Sequence, residues 1–461
     1  MSPEELAAGW RLTCRHAVPV SPANGLGLEL PEEDFAEVQA GERPATAPRA
    51  AGDLALAVDL GTTSLCWAVA ALGSAEDRVL AEGHCLNPQA GAGADVVSRL
   101  AVAGEADGRA RLARLARRAV RGIVEECGAR GGNVRRICLA ANTAMTAIFL
   151  DRDVSGLCAA PYRTECHGHE TAFLPGFPPI YIPPLPGPFV GGDVSAGLAW
   201  LMANAAPRPL VLADLGTNGE LALLMPDDTL LFASVPLGPA LEGIGPACGC
   251  PAAPDVVTRF ELGAGGLEAL SPDGRRDGVA RGISATGYLS LLGVLRRCGV
   301  LDEAGLFAGA DALSLMPLSR RVAGGLDRGQ GILRLPRGLR LEAGDVEAFL
   351  KVKAAFALAL EALLDAGRVR AGDLRRLCVA GALGGNVPAA DLAVLGFVPS
   401  CLETRVHPVG NASLAGASLL ARRPELAPSL AELCAGAEVL SLVDAPDFQD
   451  AYLRHMRFAE W

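Results

Sequence analysis

The chain has 461 residues, half of them hydrophobic and a fifth charged. That balance excludes a disordered or fibrous protein and suits two to three globular domains. A formal net charge of −11 excludes general nucleic-acid binding, which needs a basic face. No apolar run approaches the ~20 residues of a membrane span. The acidic start Met1-Ser2-Pro3-Glu4-Glu5-Leu6 lacks the regions of a signal peptide. The expected compartment is therefore the cytoplasm, where the thirteen cysteines would be mostly free thiols.

Residues 1–52 read as a leading segment and linker. Met1–Arg15 suits a short helix with Ser2 as N-cap and Glu5 three residues on. Residues 41–52 are rich in Pro, Ala and Gly. Residues 53–205 read as a first half-domain. The apolar run Leu54–Val58 leads into the turn Asp59-Leu60-Gly61-Thr62-Thr63, and a second apolar run, Leu65–Leu72, follows. That pattern predicts a β-hairpin whose turn binds phosphate. Gly61 has no Cβ, so the backbone can approach a polyphosphate with its N–H groups, and Thr62 and Thr63 add hydroxyls. Asp59 ends its strand with a carboxylate suited to hydrated Mg²⁺.

Helix 109–127 sets Leu112, Leu115, Val120, Ile123 and Val124 among arginines, an amphipathic surface helix. A buried strand then turns at Asn142-Thr143 into a helix, which suits an anion or a plain capped turn. Cys166, His167 and His169 carry metal-ligand chemistry, but their crowding is poor for a closed zinc site and a polar surface loop is expected. Gly191-Gly192 let Asp193 approach a cleft at the opening of helix 194–203; an N-cap role suits the same residue.

Residues 206–430 read as a second half-domain, and its opening nearly copies the first. Leu210–Ala213 leads into Asp214-Leu215-Gly216-Thr217-Asn218, followed by Leu221–Met225. Two such turns imply two related α/β half-domains closing on one nucleotide, with Asp214 as a second carboxylate for Mg²⁺. Strand alternation aims Glu220 into the same cleft as a metal-water or ribose contact. Gly238 and Pro239 open a helix-like turn that offers Glu242 to the ribose or the phosphate edge. The clearest helix spans 345–366, capped by Asp345 and ended by Gly367. Its Lys353 suits a phosphate or an exposed surface. Leu377–Asn386 is a strand running into a glycine-rich turn, where Gly381, Gly384 and Gly385 would let a flat adenosine approach. Residues 431–461 read as a segment packing back.

The order phosphate hairpin, second phosphate hairpin, glycine-rich turn resembles the actin, sugar-kinase and heat-shock ATPase superfamily. The stretches ANTAMTAIFL (141–150), APYRTE (160–165), FVGGDVSAG (189–197), DLGTNGELAL (214–223), GPALEG (238–243), AGALGGN (380–386) and VGNASLAGA (409–417) narrow this further. Together they resemble the ATPase domain of the reductive activators of corrinoid proteins, over roughly residues 52–461. The resemblance implies two actin-like (ribonuclease-H-like) half-domains, ATP and Mg²⁺, and a corrinoid protein or corrinoid methyltransferase component as partner. It implies catalytic roles for Asp59 and Asp214, and for Asp193 the orientation of the water that attacks the γ-phosphate. It matches Lys353 to a family lysine and Cys248-Gly249 to a Cys-Gly pair. Gly282–Gly287, by contrast, departs from the family's run there.

Such relatives also carry an amino-terminal [2Fe–2S] domain. No four-cysteine array of suitable spacing occurs in this sequence, so no iron–sulfur cluster is expected within the chain and electrons would come from a separate donor. FQDAYLRHMRF (448–458) resembles the family's carboxyl-terminal helix and implies a complete end. Three other functions fit the fold: a small-molecule kinase, a nucleotide-gated binding protein with negligible turnover, and a radical-dehydratase activator. In the last, Cys248 or Cys250 of a homodimer would hold a [4Fe–4S] cluster.

Overall fold

The computed structural model describes residues 52–461 except 74–78, 94, 264, 310–316, 382, 386 and 446. The expected leading helix and linker lie outside the described residues, as does Asn386 of the glycine-rich turn. Strands β1 (Gly52–Leu60), β2 (Ser64–Ala71) and β3 (Val79–Leu86) form an antiparallel meander. Strand β4 (Gly132–Ala141) runs parallel to β1, and β5 (Glu170–Ala172) and β6 (Ile180–Ile182) complete a sheet of order β3-β2-β1-β4-β6-β5.

The plan then repeats. Strands β7 (Leu210–Leu215), β8 (Asn218–Leu224) and β9 (Leu230–Pro236) form a second meander. After a hairpin, β10 (Arg259–Gly263) and β11 (Gly266–Leu270), comes a small sheet of β12 (Leu326–Asp327), β13 (Ile332–Arg334) and β14 (Arg340–Glu342). Strand β15 (Arg376–Gly381) then runs parallel to β7, as β4 does to β1. With β16 (Val406–Gly410) and β17 (Glu438–Leu440) the second sheet has the order β16-β15-β7-β8-β9-β17. Two halves built on one strand plan are the expected actin-like architecture.

Among the described residues the helices of eight residues or more are α1 (Val96–Ala103), α2 (Ala106–Ala129), α3 (Thr143–Leu150), α4 (Gly192–Ala203), α5 (Ala285–Arg297), α6 (Ala343–Ala366), α7 (Ala412–Arg422), α8 (Ala427–Ala435) and α9 (Phe448–His455). They divide the interior into three cores, and strand alternation assigns each residue to its core. Leu54, Leu56 and Val58 of β1 pack with Leu112, Ala116 and Val120 of α2 on the outer side of the first sheet. Val211, Ala213 and Leu215 of β7 join Leu289, Leu292, Phe349 and Phe356 on the outer side of the second. The intervening residues, Ala55 and Ala57 of β1 and Leu210 and Leu212 of β7, face a central core with α4 and α7. Both faces are covered, which is why these strands read as continuous apolar runs.

Small side chains let the central layer close. A Cβ on Gly416 of α7 would lie 1.8 Å from the carbonyl oxygen of Ala196 in α4. On Gly197 it would lie 3.3 Å from the Cβ of Ala412. Parity fixes the functional consequence: Asp59 shares its face with Ala55 and Ala57, and Asp214 shares its face with Leu210 and Leu212. Both carboxylates therefore point at the layer where α4 and α7 begin.

Helix α6 corrects two expectations. Its N-cap is Glu342, and Asp345 is the third helical residue, completing a capping box rather than capping the helix itself. Asp345 also accepts from the N–H of Ala247 at 2.8 Å. Lys353 is fully buried, neither at the surface nor free for a phosphate. Its ammonium donates to the carbonyls of His455 (3.1 Å) and Arg457 (2.9 Å), closing the carboxyl end of α9. Burial pulls its pKa down to about 8.

Candidate nucleotide and metal site

Four carboxylates meet where the two sheets face each other. Asp59 is the last residue but one of β1, Asp214 the last but one of β7, and Glu220 of β8 stands directly across the ladder from Asp214. Asp193 arrives from the first turn of α4, whose N-cap is Gly191, two residues earlier than an Asp193 cap requires. A Cβ on Gly191 would sit 2.3 Å from the Cα of Asn142, so glycine is what brings this helix end against the β4–α3 turn.

Neutral donors answer the cluster. Asn411 Nδ2 and Ser413 Oγ, at the start of α7, donate to Asp59 at 2.7 and 3.0 Å. The N–H of Val194 donates to Asp193 at 2.9 Å. The three aspartates are half-buried and Glu220 is buried. Burial raises every one of the four pKa values, and like charge adds to it at Asp193, Asp214 and Glu220. Asp193 is pushed up to about 7 by burial and by Asp59. Asp214 is pushed up to about 8 by burial, Asp193 and Asp59. Asp59 rises through burial, opposed by Asn411 and Ser413, and Glu220 rises well above its ordinary value through burial, Asp193 and Asp214. A divalent cation would relieve this repulsion. Among the described residues no three such side chains converge to ligate a bare ion directly. Carboxylates that face one cleft without converging on a point would suit a hydrated ion, held through its waters.

The two turns flank the cluster. Asn87 Nδ2 donates to the Gly61 carbonyl at 2.7 Å and the N–H of Asn87 to the Thr63 carbonyl at 2.9 Å, pinning the first turn from β3. Asn142 donates to Thr62 Oγ1 at 3.2 Å and accepts from the N–H of Met145 at 2.9 Å. The β4–α3 junction is thus a capped turn. In the second turn the N–H of Gly216 donates to the Asn218 carbonyl at 2.9 Å. Glu242 ties the turns together, accepting from Thr63 Oγ1 of the first and from the N–H and Oγ1 of Thr217 in the second.

The glycine-rich turn sits beside this cleft, yet its glycines serve different ends. Gly381 has φ +71, and a Cβ there would meet Asp214 at 2.4 Å. On Gly384 it would meet the Gly410 carbonyl at 2.4 Å. Close packing within the chain requires glycine at both positions. A Cβ on Gly385 would meet nothing within 4 Å.

Elsewhere, Cys166 Sγ lies 3.4 Å from Arg152, and His169 Nδ1 lies 3.1 Å from the Tyr181 hydroxyl. Cys248 and Cys250 are free thiols. Sequence reasoning missed Asn411 and Ser413 as the partners of Asp59, although the Gly-Asn turn at 410–411 marked the place. It also named no contact for Asn87.

Comparison with known proteins agrees with this fold. Residues 54–204 match the family described as the RACo middle region, and residues 208–460 match the C-terminal domain of RACo, the ASKHA domain. The corrinoid activation enzyme RamQ of Eubacterium limosum is 27% identical over 430 residues, covering 88% of this chain and 70% of that protein. The [Co(II) methylated amine-specific corrinoid protein] reductase of Methanosarcina barkeri is 25% identical, over 60% of this chain and 51% of that one. The solved structure of a reductive activator for corrinoid, iron–sulfur protein superposes with a TM-score of 0.75 at 23% identity, over 90% of this chain and 67% of that chain. The chain belongs to the RACo family, with that family's middle region followed by its actin-like ASKHA domain.

Proposed function

We propose that this chain binds and hydrolyses Mg-ATP to assist the activation of a corrinoid protein, the one-electron reduction of Co(II) to Co(I), with the electron supplied by a separate donor. The observation that carries the nucleotide half is the meeting of two Gly-Thr turns with Asp59, Asp193, Asp214 and Glu220 in one cleft. The corrinoid half rests on the relatives, which are named for corrinoid activation and corrinoid-protein reduction.

Asp59 and Asp214 would hold the waters of the Mg²⁺, which when bound supplies charge neutralisation for the phosphates. Backbone N–H groups of the two turns orient the phosphate chain, with Thr62, Thr63, Thr217 and Asn218 adding side-chain donors. Asp193 sits at the opening of α4 with a carboxyl that titrates near pH 7, suited to orient the attacking water and accept its proton. The ligand contacts both halves, so it biases the molecule toward a closed arrangement. A corrinoid partner that senses closure receives the nucleotide's state as a conformational one.

The deciding experiment is ATP hydrolysis by the purified chain, alone and with a corrinoid protein in the Co(II) state. We expect stimulation by the partner, and a fall of roughly a hundredfold or more in Asp214→Asn, as for loss of a group that stabilises the transition state. Tight ATP binding without turnover under any condition would retire the hydrolysis claim. Equal turnover with and without the corrinoid protein would retire the partner.

A further inference from the structure

Glu242 stands where a ligand's anion would be expected. Its carboxylate takes Thr63 Oγ1 from one half of the molecule, and the N–H (2.9 Å) and Oγ1 (2.6 Å) of Thr217 from the other. These are the donors that a bridging phosphate would use. Glu242 is delivered by a one-turn 3-10 helix, Pro239–Glu242, between Gly238 (φ +77) and Gly243 (φ +75). Two backbone positions that favour glycine thus set the tip of this turn apart from the chain around it.

Arg99 of α1 is fully buried. Its Nε donates to the Gly93 carbonyl at 3.1 Å, and its Nη1 rests 3.3 Å from Met145 Sδ. Nη2 has no partner. Burial pulls its pKa down to about 10, while the charges of Asp95 and Glu242 push it back up. A buried guanidinium with an unused N–H is unfavourable unless an anion completes it. The two carboxylates that act on it are one from its own helix cap and the one that ties the turns.

We propose that Thr63, Thr217 and Arg99 form an anion subsite for a terminal phosphate of a polyphosphate ligand, and that Glu242 is its built-in occupant, displaced when the phosphate arrives. The ligand's identity as a nucleotide rests on the function proposed above; the existence of the subsite does not. Glu242 is then not a ligand contact. It keeps the turns tied in the unliganded chain and competes with what binds there. Displacement exchanges one bridge between the halves for another and frees the turn that carries Glu242.

The test is calorimetric titration of the full chain with pyrophosphate and with ATP, in wild type, Glu242→Gln and Arg99→Met. Glu242→Gln should bind pyrophosphate about tenfold tighter, because an internal competitor lowers apparent affinity by the fraction of molecules it occupies. Arg99→Met should bind about tenfold more weakly while its Tm holds or rises, since a buried charge with an unused N–H is gone. A purely structural arginine would do the reverse, lowering Tm and leaving affinity alone. Arg99→Lys, which keeps the charge, should recover part of the binding. Unchanged or weaker pyrophosphate binding in Glu242→Gln overturns the proposal, as does no pyrophosphate binding by either protein. Tighter pyrophosphate binding without any ATP binding would leave the subsite standing and sink the nucleotide reading instead.

Discussion

Asp193 and Asp214 keep carboxyls that titrate near 7 and 8, far above the ordinary 3.8. Each aspartate retains some contact with solvent, which moderates the shift without reversing its sign. The consequence for stability has a definite direction. A raised carboxyl holds its proton in the folded state when the unfolded chain has already lost it. Its stabilisation is therefore complete below about pH 4 and is lost as pH climbs through 7 to 8. Without Mg²⁺ the chain should lose Tm between pH 6 and pH 9. Millimolar Mg²⁺ should restore more of it at pH 9 than at pH 6, because the ion replaces protons. Asp214→Asn should flatten both trends in differential scanning fluorimetry. A wild-type Tm that ignores Mg²⁺ at every pH would remove the cation from this cluster. Lys353 carries a complementary lesson at this scale. Its pKa is also displaced, but its hydrogen bonds go to the end of α9, so a perturbed group marks a function only when its geometry agrees.

Helices α4 and α7 govern how near the carboxylates can come. They cross with Gly416 against Ala196, and each opens at the site: Asp193 in the first turn of α4, Asn411 and Ser413 at the head of α7. Gly416→Ala would drive a methyl into the Ala196 carbonyl and force the helices apart. Overpacking of this kind costs about 1–3 kcal/mol. We expect a Tm lower by several degrees together with reduced ATP turnover per folded molecule. Normal turnover at reduced Tm would mean that the spacing of these helices does not tune the site. This crossing also separates what the sequence disclosed from what it did not. The paired hairpins were legible because their signal is local: apolar runs on both sides of Asp-Leu-Gly-Thr. So was the glycine-rich end of β15, two of whose glycines lie against Asp214 and Gly410. Contacts such as Asn411 to Asp59, or Glu242 to Thr63, join residues far apart in sequence and leave no periodicity to read. Arg99 was hidden for the same reason, since a lone arginine on a short helix looks like solvent-facing charge until its burial is known.

At the scale of the molecule, the two sheets each contribute one aspartate and one Gly-Thr turn to a shared cleft, so the site is complete only while both halves face each other. Between them run the central core, the Asn411 and Ser413 bonds to Asp59, and the Glu242 tie. A ligand that joins both turns adds its binding free energy to that union. At a hundred times its Kd this amounts to about 2.7 kcal/mol, provided the unfolded chain does not bind it. For a chain of this size, a shift of a few degrees in Tm is expected with Mg-ATP. The shift should exceed that from Mg²⁺ alone, because the cation reaches the carboxylates while the phosphates reach the turns. It should shrink in Asp214→Asn, which weakens the cation's seat, and grow in Glu242→Gln, where the phosphate meets no competitor. Those two variants change the same cleft by one charge each, so a common loss of stability cannot produce opposite responses. If both instead respond like wild type, the nucleotide does not bridge the halves, and the coupling of ATP to a corrinoid partner would have to run through some other surface.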